Sequence, residues 1–158
     1  MHSRIIELGN APILPDDRMG ECSVPEWFYH SIADYTDTET DRDEDLKWFL
    51  EIVAHIVDVA EDGESFTFKP NAKKKYFHRQ YYAFLDKVRE LTGISIEAFC
   101  AETPYDIGMA MYKLNEAYQD KFSFYIYYQD KLKTLDEWIR ETDLSESFYF
   151  GGTLDYHF

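Results

Sequence analysis

A chain of 158 residues, 45% apolar and 18% aromatic, carries enough hydrophobic side chain for one core of single-domain size, which excludes wholesale disorder. Its 31 acids against 16 bases leave a formal charge of −15, a field that repels phosphate and excludes nucleic-acid binding over the acidic surface. No stretch approaches the ~18 apolar residues of a membrane helix, the start has no apolar leader core, and Cys22 and Cys100 form no Cys-x-x-Cys pair, so a cytoplasmic protein without a membrane partner is expected.

In chain order, Ser3–Leu8 reads as a first strand, followed by a loop rich in Pro, Asp and Gly over residues 9–20. Ser23 with Glu26 is a capping-box pattern, Pro25 suits a first helical turn, and Val24, Trp27, Phe28, Ile32 and Tyr35 keep helical spacing, so a short helix is predicted. Asp41 with Glu44 repeats the capping pattern before a clearer helix, whose apolar stripe is Leu46, Phe49, Leu50, Val53, Ile56 and Val57. A turn and a strand near 65–69 follow, then a long helix over Asn71–Leu91 with Phe77, Tyr81, Phe84, Val88 and Leu91 inward and Gly93 as its stop. "SIEAFCAE" predicts a short helix, and Thr103-Pro104-Tyr105-Asp106 opens another with Ile107, Met111, Leu114 and Tyr118 as its inner face.

The segment "KFSFYIYYQ" is β by composition, and Thr134 with Glu137 starts a helix carrying Leu135, Trp138 and Ile139. The end, "SFYFGGTLDYHF", reads as two alternating strands about a Gly151-Gly152 hairpin turn. This order predicts one α+β domain over residues 1–158, a mostly antiparallel sheet of about five strands with helices packed on one face. Tyr125, Tyr127 and Tyr128, with Tyr149, Tyr156 and Phe158, put rings on both faces of their strands, so a face left uncovered would be an aromatic patch suited to homodimerisation.

Charge is unevenly placed: residues 1–64 hold 17 acids and 4 bases, residues 65–92 hold 2 acids and 7 bases, and residues 93–158 hold 12 acids and 5 bases. The densest acidic run is Asp34–Asp45, with seven carboxylates and Arg42. Its last third has a local purpose, because Asp43, Glu44 and Asp45 crowd the first turn of a helix whose dipole favours negative charge. A calcium loop does not fit: counted from Asp37, the sixth position that needs Gly is Arg42 and the twelfth that needs Glu is Trp48. If residues 37–43 are extended, Asp37, Glu39, Asp41 and Asp43 line one edge about 6.6 Å apart, a phosphate-like array. A solvated loop leading into a helix fits the same residues. The expected partner-binding residues are Asp37, Glu39, Asp41, Asp43, Glu44 and Asp45, engaging a basic protein and, in the narrower form, imitating DNA.

The one cationic island offers a second reading. Lys75, Arg79, Tyr82 and Arg89 share the side of the long helix opposite its apolar stripe, where a small ligand-binding domain or enzyme could hold a phosphate-bearing molecule, although Asp86 lies on that side too. No histidine pair has zinc-ligand spacing, Cys100 reads as a small core residue, and no nucleophile–base, Walker or dinucleotide pattern occurs. Neither metal nor cofactor is therefore expected, no catalytic residue is assigned, and the leading reading is a non-enzymatic interaction domain with the ligand-binding domain or enzyme as its alternative.

Overall fold

The architecture follows from one strand that is apolar on both faces. The computed structural model describes residues 1–102 and 105–158, so the Thr103-Pro104 helix start lies outside the described residues. β1 (His2–Gly9), β2 (Tyr35–Asp37), β3 (Val57–Val59), β4 (Ser65–Phe68), β5 (Tyr125–Tyr128), β6 (Lys131–Thr134) and β7 (Ser147–His157) form a single sheet in the order β3-β4-β7-β1-β5-β6, with β2 on β7. The helices are α1 (Glu26–Ser31), α2 (Arg42–Val53), α3 (Ala72–Thr92), α4 (Ile96–Phe99), α5 (Tyr105–Tyr118) and α6 (Leu135–Glu141). The fold is α+β, but the sheet has seven strands where about five were expected, and it is mixed, since β1 and β5 run parallel.

The chain divides into two compact units, Met1–Lys75 with Phe122–Phe158, and Tyr76–Lys121. In the first, helices cover both faces of the sheet, where one covered face was expected. On one side Phe28 of α1 packs edge-to-face on Tyr125 and Tyr156, within a core shared with Ile5 and Leu154. On the other, Phe49 of α2 meets Phe66 and Phe150, and Trp138 of α6 meets Phe148. Strand alternation explains the pairing: neighbours Ile5 and Ile6 of β1 point oppositely, and both are fully buried.

The predicted terminal hairpin is a single strand. β7 runs unbroken through Gly151-Gly152, antiparallel to β1, because its outer half pairs β4 and its inner half continues along β1 instead of folding back. Partners shift from Ile6–Thr153 to Leu8–Phe150, so β7 holds one extra residue there, a bulge. The bulge lets residues of equal parity serve opposite cores, Phe150 against α2 and Leu154 against α1. Glu7 occupies the space that the glycines leave. Its Oε2 accepts hydrogen bonds from the Gly152 amide at 2.7 Å and the Met19 amide at 2.9 Å, and a Cβ on Gly151 would lie 2.2 Å from that oxygen.

Three other local expectations give way to tertiary pairing. α2 stops at Val53, and Val57, expected on its stripe, starts edge strand β3 against Phe68. Pro25 is the N-cap of α1 with no side-chain cap, while Ser23 accepts from the Gly20 amide in a preceding 3-10 turn. Tyr35 lies in β2 opposite His157. Elsewhere the capping logic holds: Asp41 accepts from the Asp43 and Glu44 amides, and Thr134 and Glu137 close a capping box.

The second unit is helical. α3 and α5 run antiparallel: Gln80 Nε2 donates to the Tyr118 carbonyl at 2.7 Å, Phe84 faces Tyr118 at 6.0 Å, and Leu91 and Ile107 line a common cleft at the other end. The inner face of α5 is turned from the expected one, with Ile107 and Leu114 half-buried but Met111 and Tyr118 exposed.

Gly151→Ala forces Glu7 out of its two amide bonds, and a loss of about 2–3 kcal/mol in urea unfolding is expected. Glu7→Ala should cost a similar amount. With Glu7 gone the added methyl has room, so the double variant should lose clearly less than the sum of the singles. Additive losses would show that the carboxylate does not hold the bulge.

Candidate functional site

The acidic run starts in the sheet and ends in a helix, and the chain between is bent. Asp37 pairs with Asp155 at the end of β2, and its Oδ1 accepts from the Glu39 amide at 2.7 Å, closing a side-chain turn. The Thr40 amide donates to the Thr38 carbonyl at 2.9 Å, Asp41 caps α2, and Asp43 already lies in its first turn. The extended, evenly spaced carboxylate edge is therefore absent: hydrogen bonds of Asp37 and Asp41 to following amides turn the backbone out of extension.

The six candidate carboxylates divide by exposure. Glu39, Asp41, Asp43 and Glu44 are exposed, Asp37 is half-buried, and Asp45 is 3% exposed. Asp45 is bonded to Arg4 Nε and accepts from Thr40 Oγ1 at 2.6 Å, so it belongs to the interior. Arg4 also pairs with Asp155 and lies 5.5 Å from the centre of the Trp48 ring. Arg42 is likewise drawn inward: its Nε donates to the Gly151 carbonyl at 2.8 Å and its Nη2 to Glu64 at 2.7 Å. The Arg42 hydrogen bond holds the Glu64 carboxyl below its ordinary value.

These contacts sort the charges of residues 1–64. Fourteen of the 17 acids are exposed, whereas Arg4, Arg18 and Arg42 are half-buried and Lys47 is the one exposed base. The exposed side chains therefore keep the segment's whole imbalance, fourteen acids against one base. Arg4 and Arg42 are the residues sequence reading missed. A lone cation inside the alternating first strand was the available signal for Arg4.

The cationic candidates are all exposed on α3. Among the described residues Lys75 and Arg79 make no ion pair, Tyr82 packs on His78 at 5.0 Å between ring centres, and Arg89 is paired with Asp86 at 2.6 Å. The clefts beside Trp138, Pro70, Leu50 and Leu91 are lined by none of these four. Cys100, expected in a core, is exposed just after α4. No group of three His, Cys, Asp or Glu among the described residues is placed to hold a metal ion, and no described helix is long and apolar enough to cross a membrane.

The aromatic patch that an uncovered sheet face would have left is not formed by these six rings. Tyr125 and Tyr156 are buried and Tyr127, Tyr128, Tyr149 and Phe158 half-buried, because both faces are covered. Of the nine exposed Phe, Tyr and Trp rings among the described residues, six lie in residues 76–121 and the others are Trp27, Tyr35 and Trp48. No family model, curated protein or solved structure matches this chain.

Asp45→Ala leaves Arg4 half-buried with one partner fewer, and a loss of about 2–4 kcal/mol is expected, against less than about 0.5 for exposed Asp43→Ala. Equal effects in urea unfolding would contradict the division of the run. Because the folded-state pKa of Glu64 is lowered, its contribution is full above the ordinary value of 4.5 and is lost as pH falls. Glu64→Gln should therefore flatten the fall in stability between about pH 5 and about pH 3.

Proposed function

We propose that this chain is a non-enzymatic interaction protein that docks a basic protein partner on the anionic face of its first unit. One observation carries the reading: fourteen of the 17 acids of residues 1–64 are exposed, while the segment's three arginines are half-buried. Internal ion pairs and carbonyl contacts hold Arg4 and Arg42 inward, so almost all the exposed charge of the segment is of one sign. A surface of one sign steers an oppositely charged partner and speeds encounter, with a strong dependence on salt.

The exposed carboxylates Glu39, Asp43 and Glu44, with Glu51 on the outer side of α2, form the proposed contact. None of the four makes a hydrogen bond through its side chain among the described residues, and of the four only Asp43 is in an ion pair there, with Arg42 at 3.7 Å. They are free to meet lysines and arginines of a partner. Imitation of DNA is the narrower form of this reading. It rests on charge density alone, since the extended array that would space carboxylates like phosphates is not formed.

The test is capture of proteins from lysate at about 0.1 M and about 0.5 M salt, where screening separates exposed charge contacts from buried ones. Basic proteins retained at low salt and released at high salt are expected. The variant with Glu39, Asp43, Glu44 and Glu51 all changed to Lys should retain none of them while remaining folded, with a loss of only about 1–2 kcal/mol from cations placed in the first turn of α2. Capture undiminished by those four changes would sink the reading. Displacement of a captured protein by duplex DNA would select the mimic form, and its absence would leave docking without mimicry.

A further inference from the structure

The anionic face of the first unit has a hollow in it. Along α2, Phe49 and Val53 are buried under the sheet, while Leu50 is left half-buried at the flank of the helix. Leu46, Leu50 and Ala54 follow one another at four-residue spacing and so form one apolar ridge. The β3–β4 turn stands opposite that ridge. It is closed by the Gly63 amide donating to the Ala60 carbonyl at 3.0 Å and the Glu64 amide donating to Asp62 Oδ1 at 3.0 Å, with Gly63 in the left-handed region at φ 74°. A Cβ on Gly63 would meet nothing within 4 Å, so the turn leaves the space beside the ridge unfilled. Ridge and turn together line an open cleft of about 450 Å³. Arg42 fixes their separation, because it is bonded to Glu64 at 2.7 Å and to the Gly151 carbonyl at 2.8 Å.

The charges on the rim of this cleft identify what fits it. Asp43 and Glu51, two of the four proposed contact carboxylates, line it, and Glu61 and Asp62 directly precede Gly63. All four are exposed. Glu51, Glu61 and Asp62 are in no ion pair among the described residues, and Asp43 has the 3.7 Å contact with Arg42. Lys47 is the one exposed base against them, since Arg42 is held by Glu64 and by backbone carbonyls. An apolar side chain carried on an acidic segment would be repelled here, and one carried between lysines or arginines meets carboxylates on both sides. Charge gives approach and sign, and a buried apolar anchor gives the residence that screened surface charges lack. We propose that the cleft seats one large apolar side chain of a basic partner segment, with the flanking cations on Asp43, Glu51, Glu61 and Asp62. The inference rests on the docking of a basic protein proposed above and adds the point at which that protein is anchored.

Two dye-labelled peptides test it, six lysines about a central leucine and the same peptide with serine at its centre, each titrated with the full chain at about 0.1 M salt and followed by fluorescence polarisation. The leucine peptide should bind about tenfold more tightly. Ala54→Trp, at an exposed position that lines the cleft, should fill it and bring the two peptides within about twofold of each other without weakening the serine peptide. Leu50→Gln should narrow the preference in the same way, and it decides the matter if Ala54→Trp changes the far-UV spectrum. Equal affinity of the two peptides for the wild-type chain overturns the anchor while leaving docking by charge intact. So does a leucine preference that survives both variants. Binding of neither peptide also overturns the anchor, whereas docking itself is judged by the capture from lysate.

Discussion

A buried carboxylate beside two glycines is the constraint on which the sheet depends. Glu7 is 7% exposed and takes backbone amides from Gly152 and Met19 onto one oxygen. The Met19 bond ties the long loop after β1 down onto the sheet, where Met19 and Val24 then join Phe28 in the core. The Gly152 bond holds the bulge that turns β7 from one core to the other. Without an extra residue at that point, Phe150 and Leu154 would share a face. One set of rings would then lose its cover. A charged group inside an aromatic protein is costly unless its lone pairs are met, so the glycines that admit it and the amides that bind it act as one unit.

Arginines complete what the bulge begins. A bulge leaves ladder groups unpaired, and Arg42 reaches across from the first turn of α2 to the Gly151 and Phe150 carbonyls. The same guanidinium holds Glu64, whose own carbonyl accepts from the Phe150 amide at 3.0 Å. α2, the β3–β4 turn and β7 are thereby fastened at one point. Arg4 does the same one strand over, linking β1, α2 and β7 through Asp45 and Asp155. Cations placed for these internal reasons are unavailable to the surface. The anionic excess itself is set by composition, and securing the sheet decides only which charges remain exposed.

Legibility in the sequence followed the range of the interactions. α2, α3, α4 and α6 were readable because a cap, a stripe and a stop all lie within a few residues of each other, as with Asp41 or Thr134. The short strands β2, β3 and β6 were not, because three or four residues acquire strand character only from a distant partner: Tyr35 from His157, Val57 from Phe68. The Gly151-Gly152 pair is the instructive failure. Two glycines between alternating strands satisfy a hairpin and a bulge equally well, and the choice was made by Glu7, more than 140 residues away in sequence. The acidic run was legible as charge and as a helix start. Its burial pattern was not, because Asp45 looks like its neighbours until Arg4 is brought to it. On the second unit, the apolar stripes were visible but not the fact that they remain open.

The acidic run itself shows how one stretch serves fold and surface together. Asp37, Asp41 and Asp45 are spaced by four and each is bound by the protein: a side-chain turn onto the Glu39 amide, a helix cap, and an ion pair with Arg4. Glu39, Asp43 and Glu44 fall between them and carry none of these contacts. The first set bends and anchors the chain, and in doing so it sets where the second set projects. Charge crowded into the first turn of α2 is tolerable because the helix dipole and Asp41's cap offset the mutual repulsion. Concentrating exposed carboxylates at a helix start is therefore a low-strain way to build an anionic surface, and it leaves the exposed members free to vary without disturbing the members that hold the fold.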